Sequence, residues 1–135
     1  MYVLVAILFY LAVPSLQKTY TNNIFLENRS IIDQMRALNI NKPVDILEME
    51  GGFSTYLGDN YTWYEAYDKN ISFNKMLVEK NINMIVVSDK LLDNLKYSED
   101  AEWQQFLGNF EKYGFYKHYL HSRIFRYLLI KKDLI

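Results

Sequence analysis

Asn83–Asp89 reads Asn-Met-Ile-Val-Val-Ser-Asp, an unbroken apolar run with β-branched residues at Ile85, Val86 and Val87. A run that short and that uniform fits a strand buried on both faces. Helix-like patterns stand on either side of it, so it is read as the central strand of a small α/β layer. Val44–Met49 predicts a second strand that runs into Glu50-Gly51-Gly52, paired glycines that mark a tight turn or a close backbone approach. Phe115–Leu120 and Ile124–Ile130, separated by His121-Ser122-Arg123, predict an antiparallel hairpin with a short loop.

The helical signals fill the gaps. Ser15 to Asn39 contains no Gly or Pro, and Leu16, Tyr20, Ile24, Ile31, Met35 and Leu38 recur on one helical face. A long amphipathic helix, or two in line, is expected. Asn22-Asn23 and Asn28-Arg29-Ser30 are weak helix formers where it would break, and the approach to Pro43 ends it. Ser54–Leu57 suits one helical turn, and Tyr61–Tyr67 a short extended segment. Ser72 opens a helix with Phe73, Met76 and Leu77 inward and Asn81 closing it. Ser88 caps a short helix reaching about Leu95. Ser98 caps the next, where Trp103, Phe106, Leu107 and Phe110 form a core stripe and Gly114 supplies the stop. The sum is an α/β fold, a small mixed sheet of about four or five strands flanked by helices, with a C-terminal antiparallel hairpin and an N-terminal helix. Its parallel part comes from the strand–helix–strand unit, for which a right-handed crossover is expected.

Tyr2–Val13 is continuously apolar, uncharged and ended by Pro14. A spanning helix needs ~20 apolar residues, so this stretch is too short to cross a bilayer by itself. It also lacks the basic region and cleavage site of a signal peptide. Two readings stand: the trailing half of a transmembrane helix, or a buried N-terminal helix or strand of a soluble fold. On the first, residues 1–14 end a transmembrane helix, 15–41 form an amphipathic connecting helix, and 42–135 form the α/β domain.

Composition narrows the chemistry. Twelve tyrosines and eight phenylalanines among 135 residues exclude disorder as the overall state. A net charge of −1 with interspersed signs lacks the clustered positive field of a nucleic-acid binder. With no cysteine, thiolate catalysis, disulfides and cysteine-ligated zinc are out. His118 and His121 make no metal-binding pair, no Gly-x-Ser-x-Gly elbow exists, and no cofactor fingerprint follows the glycines, so neither a catalytic residue, a metal nor a cofactor is assigned.

What remains is binding. Glu50 lies beyond the carboxyl end of a strand, where α/β folds place ligands. Asp89 ends the central strand and suits either a site or the first turn of a helix. Tyr56, Asp59, Asn60, Tyr61, Trp63, Tyr64 and Glu65 bring aromatic faces beside carboxylates and an amide, as a glycan site does, or else cover the sheet edge and fill the core, or else meet a membrane interface.

The order of these features resembles a known family. It comprises an apolar segment ending at Pro14, a long polar-faced helix, Val44–Met49 with Gly51-Gly52, and Asn83–Asp89 followed by Lys90-Leu91-Leu92. After these come Glu102-Trp103-Gln104-Gln105-Phe106-Leu107, Tyr113-Gly114-Phe115 and the closing Arg126-Tyr127-Leu128-Leu129-Ile130-Lys131-Lys132. Over nearly its whole length the chain resembles the C-terminal extracytoplasmic domain of bacterial polytopic membrane glycosyltransferases of the protein O-mannosyltransferase and aminoarabinose transferase group. The resemblance implies a location at the cell membrane with the soluble part on the extracytoplasmic side. It implies chemistry carried by membrane loops outside this chain, and a domain that contributes an acceptor-binding or assembly surface near a lipid-linked sugar. No family catalytic residue matches a position here. A membrane-tethered binding or interaction module with no enzymatic parent is the alternative, and a free-standing hydrolase a third reading without a nucleophile–base pair to support it.

Overall fold

The computed structural model describes residues 24–49, 53–65 and 71–135. Tyr2–Val13, Asn22-Asn23 and Glu50-Gly51-Gly52 lie outside the described residues, and with them the expectations placed there. The elements run α1 (Ile24–Ala37), β1 (Val44–Glu48), a 3-10 turn (Phe53–Tyr56), β2 (Tyr61–Glu65), α2 (Phe73–Glu79) and β3 (Met84–Ser88). Then follow α3 (Asp89–Leu92), α4 (Leu95–Ser98), α5 (Ala101–Asn109), a 3-10 turn (Phe110–Tyr113), β4 (Phe115–Tyr119), β5 (Phe125–Lys131) and a last 3-10 turn (Lys132–Leu134).

Five strands form one mixed sheet in the order β2-β1-β3-β5-β4. β1 runs parallel to both β2 and β3, whereas β5 is antiparallel to β3 and β4. The expected mixed sheet, hairpin and N-terminal helix are all present. β3 is buried along its whole length, as its uniform apolar sequence demands. Met84 and Val86 face one side with Val44, Ile46, Leu128 and Ile130, where Ile31 and Met35 of α1 close the layer. Ile85 and Val87 face the other with Leu47 and Leu129, under Phe73 and Met76 of α2 and Trp103 and Phe106 of α5. The result is a three-layer sandwich. Its densest part is aromatic: Trp103 meets Phe73 and Tyr97 edge-on at 4.9 and 5.6 Å and stacks on Phe106 at 5.9 Å.

Several local expectations change. α1 runs unbroken through Asn28-Arg29-Ser30, because Ile31, Ile32 and Met35 are buried on the sheet and packing outweighs weak propensity. It ends at Ala37, just before the Asn39–Pro43 stretch expected to stop it, where Asn39 takes a left-handed φ of 51°. The helix expected from Ser88 to Leu95 is two short helices, since Asn94 caps a new one by accepting from Lys96 N at 3.0 Å. Ser98 is the last residue of α4. The cap of α5 is Asp100, whose Oδ1 accepts from Glu102 N at 2.8 Å and Trp103 N at 3.3 Å. Ser72 and Ser88 cap as expected, and Gly114 carries φ 83° after the 3-10 turn.

Asn83 holds the amino end of the parallel pair. Its Nδ2 donates to Pro43 O at 3.0 Å and its Oδ1 accepts from Asp45 N at 2.8 Å. Its own N–H reaches Asp45 O, and its carbonyl accepts from Lys131 N at 2.9 Å. Thus one residue, through its side chain and its backbone, ties β1, β3 and β5 together.

Candidate functional site

From β1 the chain passes out to β2 on one side, then returns by way of α2 to β3 on the other. The strand order therefore reverses between β1 and β3, and the crevice beyond their carboxyl ends is where open α/β sheets bind ligands. Glu48 ends β1, fully buried, and its Oε1 accepts from Ser54 Oγ at 3.3 Å. Ser88 ends β3, also buried, and its hydroxyl caps α3 at Leu91 N, 3.2 Å away. Next to it, Asp89 is in contact with the Arg126 guanidinium. A bulge sets up that pair. Val87 faces Tyr127 and Ser88 faces Phe125, so Arg126 is the extra residue and turns outward toward Asp89. Asp89 and the nearby Asp93 charge raise the Arg126 pKa.

These groups point inward or to one another, and their bonds fix the backbone around the crevice. Neither histidine lies on β1 or on a strand next to it. His118 lies on β4 and His121 just after it, three strands from β1, roughly 14 Å at the usual strand spacing. Among the described residues no group of His, Cys, Asp and Glu could hold a metal.

The aromatic segment divides across an edge strand. Tyr61 and Trp63 turn to the α1 side and pack half-buried on that core, while Tyr64 turns to the opposite side. There its hydroxyl donates to Asp45 Oδ1 at 3.3 Å, and the Lys80 ammonium sits 5.7 Å from its ring centroid. Burial, then the Asp45 charge and this hydrogen bond, raise the Tyr64 pKa; burial alone raises that of Tyr61. Tyr56 stands largely exposed, with its carbonyl accepting from Arg36 Nη2 at 2.6 Å. Asp59 is exposed in the turn before β2. Tyr61 and Trp63 thus share a face, Tyr64 does not, and Asp89 lies beyond β1 at the end of β3. Glu50 is outside the described residues.

Glu48 escaped the sequence reading although its signal was present. It follows Val44 and Ile46 at period two, which makes it an inward position. A second omission is the group Lys117, Tyr119 and Tyr127 on β4 and β5, which becomes visible only when the hairpin register is known.

The entry of the chain into the fold also matters. Glu27, in the first turn of α1, accepts from Ser122 Oγ at 2.7 Å and Arg123 N at 3.2 Å. Ser122 in turn accepts from Ile124 N and Phe125 N, and Ile124 O accepts from Asp89 N. So α1 begins at the end of the sheet where β3 finishes. Among the described residues no helix is long and apolar enough to cross a membrane.

No family model, curated protein or solved structure matches the chain.

Proposed function

We propose that the chain is a non-catalytic extracytoplasmic layer of a membrane-bound glycosyltransferase that uses a lipid-linked sugar donor, and that it contributes an acceptor-binding or assembly surface. The observation that carries this reading is the tie between Glu27 and the Ser122-Arg123 loop. It places the first turn of α1 at the same end of the sheet as the crevice of Glu48, Ser88 and Asp89. An apolar anchor upstream, such as the Tyr2–Val13 stretch can supply, would therefore turn this end toward the membrane. The opposite end carries Asn83, the residues before β1 and the C-terminal turn.

The inward commitment of the crevice's polar groups supports a surface in place of a reaction centre. The test compares sugar transfer from a polyprenyl-phosphate donor in two preparations. Membranes carrying the complete open reading frame transfer sugar and lose activity when residues 24–135 are deleted. The purified 135-residue chain transfers none. Turnover by the purified chain would overturn the proposal, as would full activity of the deleted form.

A further inference from the structure

Lys117 projects from the edge strand β4 into a group of rings. Its ammonium lies 4.2 Å from the Tyr127 ring centroid, 5.3 Å from that of Phe110 and 5.8 Å from that of Tyr119. Tyr119 and Tyr127 face each other in the β4–β5 register and meet edge-on at 6.2 Å. Tyr119 is 71% exposed, more open than the other exposed aromatic side chains among the described residues, Tyr56 and Tyr113.

Ring faces attract an ammonium without neutralising it. Among the described residues no carboxylate lies within ion-pair distance of Lys117. Arg126, the next cation along β5, is committed to Asp89. A held, uncompensated positive charge therefore sits beside an open aromatic face. The Tyr127 phenol is a donor at neutral pH, as any tyrosine is. Tyr127 pairs with Val87, so the group lies close to Ser88 and Asp89, at the end of the sheet where α1 begins.

We propose that this corner binds a saccharide bearing an anionic substituent, a phosphate or a carboxylate: the Tyr119 ring stacks on a sugar face while Lys117 meets the anion. Pyranose C–H faces stack on aromatic rings, and hydroxyls then find phenolic partners at the rim. A planar exposed ring with one adjacent cation selects for both features together. The choice of a sugar rests on the function proposed above; the choice of an anion rests on Lys117 alone.

The experiment titrates the full chain in detergent micelles with glucose 1-phosphate, glucuronate, methyl glucoside and inorganic phosphate, following tyrosine ring resonances. Glucose 1-phosphate and glucuronate are expected to shift Tyr119 and Tyr127 saturably, roughly tenfold more tightly than methyl glucoside or inorganic phosphate, a difference of about 1.4 kcal/mol. Tyr119→Ala, at an exposed position that leaves the core intact, should weaken binding by roughly tenfold. Lys117→Gln should do the same, and Lys117→Arg should retain binding because the charge is kept. Phosphate binding as tightly as the sugar phosphate would remove the stacking role, and equal binding of methyl glucoside would remove the anion role. Either result overturns the inference, as does the lack of a saturable shift with both acidic sugars. Failure here is separable from failure of the proposed function, which is judged by the transfer assay with and without residues 24–135.

Discussion

The Glu27 carboxylate and the Ser122 hydroxyl lie 2.7 Å apart across 95 positions of sequence, and this bond joins the first turn of α1 to the loop between β4 and β5. Ser122 also accepts from Ile124 N and Phe125 N. The loop conformation and the entry of the chain are therefore fixed by one side chain. Ser122→Ala should destabilise the fold by about 1–3 kcal/mol, because backbone donors lose their acceptor. Glu27→Ala should cost less, and a double-mutant cycle read by urea denaturation should give a coupling of about 0.5–1.5 kcal/mol.

At the other end of the sheet, Asn83→Ala removes both side-chain bonds to the segment that opens β1. The Asp45 N–H and the Pro43 carbonyl lose their partners, so a loss of about 2–4 kcal/mol is expected, measured as a lower urea midpoint with an unchanged m-value.

Trp103 separates ring packing from hydrogen bonding. It is fully buried, and its Nε1 has no hydrogen-bond partner among the described residues. Trp103→Ala should cost about 3–5 kcal/mol through the cavity it leaves. Trp103→Phe keeps much of the aromatic packing and forfeits no bond, so its loss in the same thermal or urea experiment should be well under half as large.

The cap of α5 is open to a direct comparison. Asp100→Ala should cost about 0.5–2 kcal/mol, since two backbone donors lose their acceptor. Ser98→Ala should change stability by less than about 0.5 kcal/mol.

Alkaline pH should weaken the fold. Burial raises the pKa of Tyr61, Tyr64, Tyr116 and Tyr127 above the usual 10.0, with the Asp45 charge and hydrogen bond adding at Tyr64 and the Tyr119 charge at Tyr127. In the unfolded chain these phenols ionise first, so above pH 10 the unfolded state binds fewer protons than the folded one and stability falls as pH rises. Below that pH the contribution is fully present. Tyr127→Phe should make the decline shallower in urea melts taken on both sides of the unfolded-state value.

Much of this architecture was legible because period and length agree. The uniform run Met84–Ser88, short and β-branched between helical patterns, fits a doubly covered strand, and the Trp103–Phe106 stripe fits a helix face turned to a core. The caps were less legible, because Ser98, Asp100 and Asn94 are all good cap residues, and the choice among them depends on where the buried rings fall. The continuity of α1 through Asn28-Arg29-Ser30 was decided by burial of Ile31 and Met35, a tertiary effect that propensity does not contain. The site was the least legible part. The short extended segment expected within Tyr61–Tyr67 is there as β2, but the alternation that sends Trp63 and Tyr64 to opposite faces was not used to divide the aromatic cluster. The Lys117–Tyr119–Tyr127 corner depends on cross-strand register, and the Asp89–Arg126 pair on a bulge, neither of which local sequence encodes.

The chain has no cysteine, so a single spin label can be placed at will. Arg123→Cys marks the loop beside the start of α1. Val78→Cys marks the far end of α2, where the side chain is 80% exposed. In vesicles containing a nickel-chelating lipid, paramagnetic relaxation reports how near each label lies to the bilayer. With the start of α1 facing the membrane, relaxation at residue 123 should be several-fold stronger than at residue 78. Equal relaxation, or stronger relaxation at residue 78, would contradict that orientation.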